Sequence, residues 1–190
     1  MAATQTILVE PGTPAPDFNL PDVISGNNLS FNDVKGINGT LVVFMCNHCP
    51  YVLHILNHFI KNAHKFIEQG IGIVAISSND IVNYPQDSPQ NMLDLATQKK
   101  FPFPYLYDAD QSVAKAYKAA CTPDFFLYDK EGKTYYRGRY DETNHKNNLN
   151  PHGSDLLNAI TSLLNGEKAP EVMHPSLGCN IKWLNNEFPY

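Results

Sequence analysis

Short apolar runs and longer amphipathic segments alternate along the chain. The runs at residues 41–45 and 71–76 have the length of buried strands. Between them, apolar residues recur at helical spacing at Val52, Ile55, Leu56, Phe59, Ile60, Ala63, Phe66 and Ile67. Pro50 is a favourable first helical residue, and Gly70 is typical of a helix end. The pattern predicts a strand, a helix over about residues 50–70, and a second strand.

The rest of the chain continues this alternation. Residues 11–22 are proline-rich and predict an extended arm, with a short strand expected at residues 29–31. The later predicted elements are a helix from Pro89 to about Lys100, a strand at 105–107, a helix at 110–117, a hairpin of strands at 124–128 and 134–140, and a helix at 154–165. Parallel crossovers therefore precede an antiparallel pair, which predicts an α/β fold with helices around a mixed sheet.

Composition adds limits to this picture. A chain of 190 residues with 43% hydrophobic and 17% charged residues is long enough for one globular domain. We expect this domain over residues 1–165, with a tail at 166–190 that packs on it because it contains Trp183 and Phe188. The net charge of −5 argues against a nucleic-acid partner. No apolar run approaches the roughly 20 residues of a membrane span, and residues 1–10 lack a secretory signal pattern.

The chain has four cysteines, which are too few for a disulfide scaffold. Cys46 and Cys49 are spaced Cys-x-x-Cys at the end of the first apolar strand, directly before Pro50. A thiol at a helix N-terminus faces unpaired backbone N–H groups, which favour the thiolate. We therefore predict a reactive thiol in a reducing compartment, most simply the cytoplasm.

Several motifs resemble one family. The opening G-T-P-A-P-D-F-N-L resembles the start of the alkyl hydroperoxide reductase/thiol-specific antioxidant family, and T-P-D-F-F-L-Y-D-K-E-G resembles the cis-proline loop of thioredoxin-fold proteins. Together, C-N-H-C-P-Y-V, C-T-P-D-F-F and P-S-L-G-C-N-I-K-W resemble a peroxiredoxin-like subgroup. The resemblance covers roughly residues 11–165. It implies a thioredoxin-like fold with a peroxiredoxin-type N-terminal extension, and a cis Pro123 that faces the active thiol.

Two registers compete for the nucleophile. In the first, Cys46 and Cys49 are the thioredoxin pair and Cys46 attacks. In the second, Cys49 is the first active cysteine, and C-P-Y-V is similar to a glutaredoxin C-P-Y-C whose second cysteine has become Val52. We favour the second register, because only Cys49 directly precedes Pro50. Cys46 would then lie in the preceding loop as the resolving thiol.

The resemblance also suggests roles for other residues. Cys121 lies two residues before Pro123 and is an alternative resolving thiol, and Cys179 is a more distant one. Thr122 and Pro123 are expected to offer backbone groups to a substrate chain. His48 could stabilise a thiolate when protonated. Histidines near the cysteines do not complete a ligand set, so no metal site is predicted, and the resemblance implies no bound organic cofactor.

The sequence also departs from the peroxiredoxin pattern. Counted back from Cys49 in P-x-x-x-T-x-x-C, Cys46 takes the threonine position and Val42 the proline position. Pro123 takes the position of the active-site arginine. Without that cation and hydroxyl, the oxygens of a peroxide lack evident donors in the transition state.

The predicted function is that of a thiol–disulfide oxidoreductase. Cys49 would attack a protein or small-molecule disulfide, a second cysteine (Cys46 first) would close an intramolecular disulfide, and an external dithiol would reduce it. The alternatives are a thiol-dependent peroxide reductase and a non-catalytic binding module that holds a partner at Pro123.

Overall fold

The computed structural model describes residues 3–7 and 9–186. The strands are β1 (Ala3–Gln5), β2 (Asn19–Pro21), β3 (Asn28–Ser30), β4 (Gly39–Phe44), β5 (Ile71–Ser77), β6 (Tyr105–Tyr107), β7 (Cys121–Thr122), β8 (Asp124–Tyr128), β9 (Thr134–Gly138) and β10 (Leu177–Asn180). The helices are α1 (Phe31–Val34), α2 (Pro50–Glu68), α3 (Pro89–Lys99), α4 (Ser112–Ala116) and α5 (Ser154–Leu164). Short 3₁₀ turns occur at Pro85–Asp87 and Leu184–Asn186.

The central sheet has the strand order β6-β5-β4-β8-β9. Strand β4 pairs in parallel with β5, which pairs in parallel with β6, whereas β8 is antiparallel to both β4 and β9. Helical crossovers connect the parallel strands, and a hairpin connects the antiparallel strands β8 and β9. The predicted mixed sheet and the thioredoxin-like fold are therefore confirmed.

Two hydrophobic cores lie on opposite faces of this sheet. Every residue of β4 is buried, because alternate side chains enter opposite cores. Leu41 and Val43 pack with the apolar face of α2 in one core. Val42 and Phe44 pack in the other core, with residues of α1, β5 and β8. This packing fixes the point where β4 ends and α2 begins, which is where the Cys-x-x-Cys segment lies.

The tail packs on the same domain through a second sheet. Strand β10 lies between β1 and β7 and is antiparallel to both. Ile181 and Trp183 follow it and are buried in the core that contains Val42. Phe188, which the sequence also assigns to the packed tail, lies outside the described residues, as do residues 1, 2 and 8 of the expected domain. Among the described residues, no helix combines the length and the apolar composition that a membrane span requires.

Candidate active site

Cys49 is the N-cap residue of α2. Its backbone is extended (φ −70°, ψ 120°), and Pro50 occupies the first turn, so the chain turns into the helix directly at the thiol. The apolar run of β4 and the helical spacing after Pro50 create this junction locally. The structure therefore has the arrangement of the second register, with Cys49 at the helix start and Cys46 in the preceding loop.

The Cys49 side chain is fully buried and belongs to the hydrophobic core that also contains Tyr51 and Val52. Its Sγ lies 3.1 Å from the carbonyl oxygen of Thr122. The Cys46 sulfur lies 3.5 Å from Thr122 Oγ1, and Cys179 pairs with Thr122 across the sheet, so both thiols lie on the side of Thr122 near Cys49. The structure thus brings three of the four predicted cysteines, Cys46, Cys49 and Cys179, to Thr122.

These contacts lower the pKa of Cys49. The largest cause is the hydrogen bond from the Cys179 thiol, followed by the hydrogen bond from the Cys46 thiol, and the backbone N–H of Val52 also donates to the sulfur. Burial opposes the thiolate, and so does the Thr122 carbonyl, which can only accept a hydrogen bond. Because the donors outnumber this acceptor, the pKa lies well below that of an ordinary thiol.

The pKa values of the Cys46 and Cys179 thiols shift in the opposite direction. The hydrogen bond to Cys49 raises the pKa of both Cys46 and Cys179, and burial raises both further. A thiol that donates to a neighbouring thiolate keeps its own proton. The directions of these pKa shifts favour Cys49 as the sulfur that loses its proton first.

The bend at Thr122 and Pro123 lies against this group. The Thr122–Pro123 peptide bond is cis, as the resemblance implies. Thr122 Oγ1 lies 3.5 Å from the Cys46 sulfur, while the Thr122 carbonyl contacts Cys49. On its outer edge Thr122 pairs with Cys179 of β10, so the backbone partner of this bend is the chain's own tail.

Cys121 is separate from the other three thiols. It is completely buried, and its sulfur lies 3.8 Å from the carbonyl oxygen of Pro123. Successive residues of a strand point to opposite faces, so Cys121 points away from the side that Thr122 presents. Burial raises the pKa of this thiol, which is typical of an inert cysteine. Its contact with Pro123 gives it no part in the hydrogen bonds that surround the Cys49 sulfur.

His48 belongs to a polar network behind Cys46. Its Nδ1 lies 2.6 Å from Oδ2 of Asp87 and 4.0 Å from the Cys46 sulfur. Asp87 is completely buried and also accepts hydrogen bonds from the Asn47 backbone N–H and the Asn79 side chain, each at 2.8 Å. The ring of Tyr84 stacks on His48. This network fixes the loop that carries Cys46.

Asp87, Asn79 and Tyr84 are site residues that the sequence did not indicate. Asp87 directly precedes Ser88, the N-cap of α3. An aspartate is common near a helix start, so its position in the sequence does not suggest a functional role. Its partner His48 lies 39 positions earlier in the chain. No local pattern links residues at that distance, so only the folded chain could show the pair.

The same network contains the candidate metal ligands. One ligand atom each from Cys46, His48 and Asp87 lies within 4.8 Å of the others. However, the histidine nitrogen and the aspartate oxygen already bond to each other, and the second aspartate oxygen binds the Asn47 N–H. Since these atoms satisfy one another, the group is best explained as a hydrogen-bonded support.

Both arginines of the chain form ion pairs with carboxylates. Arg137 is buried and forms an ion pair with Asp124 at 3.2 Å. Arg139 pairs with Asp155 at 2.6 Å. Arg137 is therefore held away from the site, whereas Arg139 also lines the cavities beside Tyr51. The position of the peroxiredoxin arginine in the sequence is occupied by Pro123.

A cavity approaches the site from the side of α2. It has a volume of about 200 Å³, and its lining includes Tyr51, Arg139, His174 and Leu177. A narrower space of about 20 Å³ shares Tyr51, Arg139 and Leu177 and reaches Pro123. The inner space has room for little more than one water-sized group. The smaller cavity thus reaches Pro123, while the Cys49 side chain lines neither of the two.

Comparison with solved structures identifies two close neighbours. A crystal structure of an uncharacterised conserved protein from Geobacillus kaustophilus has a TM-score of 0.94 and 43% identity, with 97% of each chain covered. The protein SMc02350 from Sinorhizobium meliloti 1021 has a TM-score of 0.92 and 41% identity, over 95% of this chain and 98% of that one. The whole fold, including the tail, therefore recurs in these proteins.

Comparison with sequences points to redox chemistry. The thiol-disulfide oxidoreductase ResA of Bacillus thuringiensis subsp. konkukian is 25% identical over 138 residues, which cover 71% of this chain and 73% of that protein. The model of the AhpC/TSA family matches residues 11–137, which include Cys46, Cys49 and the Thr122–Pro123 bend. Both matches support an oxidoreductase at the level of the family. This chain, with its thioredoxin fold and its thiol at the start of α2, belongs to the peroxiredoxin-like AhpC/TSA family.

Proposed function

We propose that the protein is a thiol–disulfide oxidoreductase in which Cys49 is the nucleophile. The observation that carries the proposal is the position of its sulfur at the start of α2, beside the Thr122–Pro123 bend and near two other cysteines. A thiolate is the attacking species in disulfide exchange. The lowered pKa of Cys49 supplies this thiolate at neutral pH.

The reaction begins with attack of the Cys49 thiolate on one sulfur of a substrate disulfide. A bond forms between Cys49 and that sulfur, the substrate S–S bond breaks, and the other substrate sulfur leaves as a thiolate that takes a proton from water. A second cysteine then attacks Cys49, forms an intramolecular disulfide and releases the remaining substrate thiolate. An external dithiol supplies the two electrons that return both cysteines to the reduced state.

Both Cys46 and Cys179 are placed to act as this second cysteine. While Cys49 is an anion, each donates a hydrogen bond to it and holds its own proton. Once Cys49 is bound in a mixed disulfide, that negative charge is gone, and the pKa of both neighbours falls. The resolving thiol is therefore activated only after the first step, whichever of the two it is.

Peroxide reduction is the second candidate, and membership of the AhpC/TSA family favours it. Cys49 would attack one peroxide oxygen to form a sulfenic acid and release the other oxygen as hydroxide or alkoxide. Cys46 or Cys179 would then displace water to close a disulfide. The sequence position of the peroxiredoxin arginine is occupied by Pro123 and that of the threonine by Cys46, so disulfide exchange is the favoured function.

The test compares Cys49→Ser with Cys121→Ser. Each variant is assayed for reduction of hydroxyethyl disulfide with dithiothreitol as the external dithiol, after circular dichroism has confirmed folding. We expect C49S to lose at least about 100-fold in rate, as expected for loss of a nucleophile, and C121S to keep its activity. Full activity of C49S would contradict the proposal.

Two further measurements separate the alternatives. Stopped-flow oxidation of Cys49 by hydrogen peroxide at the rate of a free thiol removes the peroxidase candidate. An ordinary pKa near about 8.5 at Cys49, together with no disulfide reductase activity, would favour the binding module. Peptide mapping after mild oxidation identifies whether Cys46 or Cys179 is joined to Cys49.

A further inference from the structure

The outer edge of β7 is already occupied by the tail. Cys179 pairs with Thr122 and Asn180 pairs with Cys121, so β10 takes the backbone groups beside the active thiol. On its other side, β10 pairs with β1 over Ala3–Gln5. The cysteine that this strand presents at Thr122 is Cys179, while the carbonyl oxygen of the same Thr122 lies 3.1 Å from the Cys49 sulfur. The tail thus lies where an extended chain would bring a cysteine to Cys49.

The fit between β10 and β7 is close. A Cβ atom at Gly178 would lie 2.0 Å from the carbonyl oxygen of Thr122, a backbone atom that cannot rotate away. Glycine is therefore needed at this position for the two strands to approach as they do. The contact leaves no space for another chain between β10 and Thr122.

Both ends of β10 are held in place. Before the strand, the Ser176 hydroxyl donates to the Gly138 carbonyl at 2.7 Å. After it, the Ile181 N–H donates to the Ala120 carbonyl at 3.2 Å, and the Lys182 N–H donates to the Asn79 side chain at 2.8 Å. Displacing the strand would break these bonds as well as its pairing with Thr122.

An incoming polypeptide would need the same backbone groups. An extended chain that adds to a sheet edge gains its affinity from main-chain hydrogen bonds, and here β10 already makes them. Beside Tyr51 lie two small cavities, one of about 200 Å³ and one of about 20 Å³ whose lining includes Pro123. Neither cavity has room for a polypeptide chain, and the smaller one holds a group of about the size of a water molecule.

We propose that β10 restricts this enzyme to low-molecular-mass disulfides and excludes polypeptide disulfides from Cys49. This inference rests on the proposed disulfide exchange and specifies its substrate class. The strand acts by occupying the edge of β7, and the cavities beside Tyr51 and Leu177 remain as the approach for small substrates.

The test compares a small and a polypeptide disulfide. The reduced wild-type protein is reacted with hydroxyethyl disulfide and with insulin, and each rate is divided by the rate of dithiothreitol with the same disulfide. To reach Cys49, a polypeptide would have to displace β10 and break its two residue pairings with β7. If each pairing lowers the rate about tenfold, the normalised rate with hydroxyethyl disulfide should be about 100-fold higher than the normalised rate with insulin. Gly178→Ala, which forces β10 away from Thr122, should reduce this preference about tenfold or more.

Gly166→Ala is the matched control. Gly166 lies in the same tail with φ +71°, and a Cβ atom added there would meet nothing within 4 Å, so its substitution strains the backbone without touching β7. We expect G166A to keep the wild-type preference.

Three outcomes are decisive. Wild-type protein that reduces insulin as readily as hydroxyethyl disulfide overturns the inference while leaving the proposed function intact. Folded G178A with an unchanged preference removes β10 as its cause. Reduction of neither disulfide would count against the proposed function itself. The wild-type ratio needs no variant, so the test remains decisive even if G178A does not fold.

Discussion

At the scale of single residues, the chemistry depends on how one negative charge is distributed among three sulfurs. Cys49, Cys46 and Cys179 lie together, and the hydrogen bonds among them lower the pKa of Cys49 and raise the pKa of the other two. A hydrogen bond to a charged group is stronger than one between neutral groups. The anion is therefore stabilised most where two thiols donate to it, which is at Cys49.

Removing the Cys179 donor should raise the pKa of Cys49. Cys179→Ala deletes the largest cause of the shift. A hydrogen bond to a charged group contributes about 1.5–3 kcal/mol, which corresponds to a rise of about one to two pKa units. The measurement is the ultraviolet absorbance of the thiolate as a function of pH. Cys46, Cys121 and Cys179 all have raised pKa values, so absorbance in the acidic range reports Cys49.

Cys179→Ser is the control for this titration, since its hydroxyl can still donate to the thiolate. We expect a smaller rise in pKa than in C179A. Identical titration curves for the wild type and C179A would show that Cys179 does not stabilise the anion. The lowered pKa of Cys49 also affects the stability of the fold. Because the folded-state pKa lies below the unfolded value, the thiolate stabilises the folded protein at a pH above the unfolded pKa, and this stabilisation is lost as the pH falls through the folded pKa.

At the scale of elements, the loop before α2 is supported by the segment before α3. The Asp87 carboxylate binds the Asn47 backbone N–H and the His48 ring and accepts from Asn79. A buried carboxylate with several donors fixes the groups that donate to it. The position of Cys46 is therefore set by a residue that lies in a different crossover of the sheet.

Asp87→Asn should loosen this loop. The amide keeps one acceptor oxygen but places an NH₂ group against donors at His48 and Asn79, which leaves buried polar groups unpaired. We expect a loss of about 1–3 kcal/mol in the free energy of unfolding and faster alkylation of Cys46 in the C49S background. Urea unfolding and mass spectrometry of alkylated peptides measure these effects. Asp94→Asn, on the exposed face of α3, is the control, and equal behaviour of the two variants would contradict a supporting role for Asp87.

The elements that were predicted well are those with a strong local signal. Strands β6 and β8 have the predicted bounds, and α3 begins after the predicted N-cap Ser88. Helix α4 is shorter than predicted because Gln111 adopts a left-handed conformation (φ 63°) and delays the helix start. Strand β9 ends at Gly138 rather than at residue 140. Residues 29–31 instead divide between the end of β3 and the start of α1, where Ser30 forms a capping box with Asp33.

The elements that were missed depend on pairing across the chain. β1, β7 and β10 are two to four residues long and exist because they pair with one another. Such short segments have no period of their own to detect. For the same reason the sequence indicated Cys49, through Pro50, but left Cys46, Cys121 and Cys179 as alternatives. Their placement relative to Cys49 depends on where β7 and β10 meet.

At the scale of the whole molecule, the identity of the disulfide partner changes how much of the chain is tied together. A bond between Cys49 and Cys46 closes only the Cys-x-x-Cys loop. A bond between Cys49 and Cys179 joins the start of α2 to the tail and encloses most of the central sheet. Because a disulfide stabilises mainly by restricting the unfolded chain, the longer loop has the larger effect.

The stability of the oxidised protein should therefore identify the resolving thiol. If Cys179 resolves, oxidation of Cys46→Ser should raise the free energy of unfolding by about 2–4 kcal/mol, as is typical of a bond that closes a long loop. If Cys46 resolves, oxidation of Cys179→Ser should change it little, because so short a loop has little entropy to lose. Urea unfolding of each variant, oxidised and reduced, measures the difference. Stabilisation of C46S by oxidation would mean that the redox state of Cys49 also controls how firmly the tail is held on β7. Failure of C46S to form a disulfide would mean that the tail covers the edge of β7 without taking part in the redox cycle.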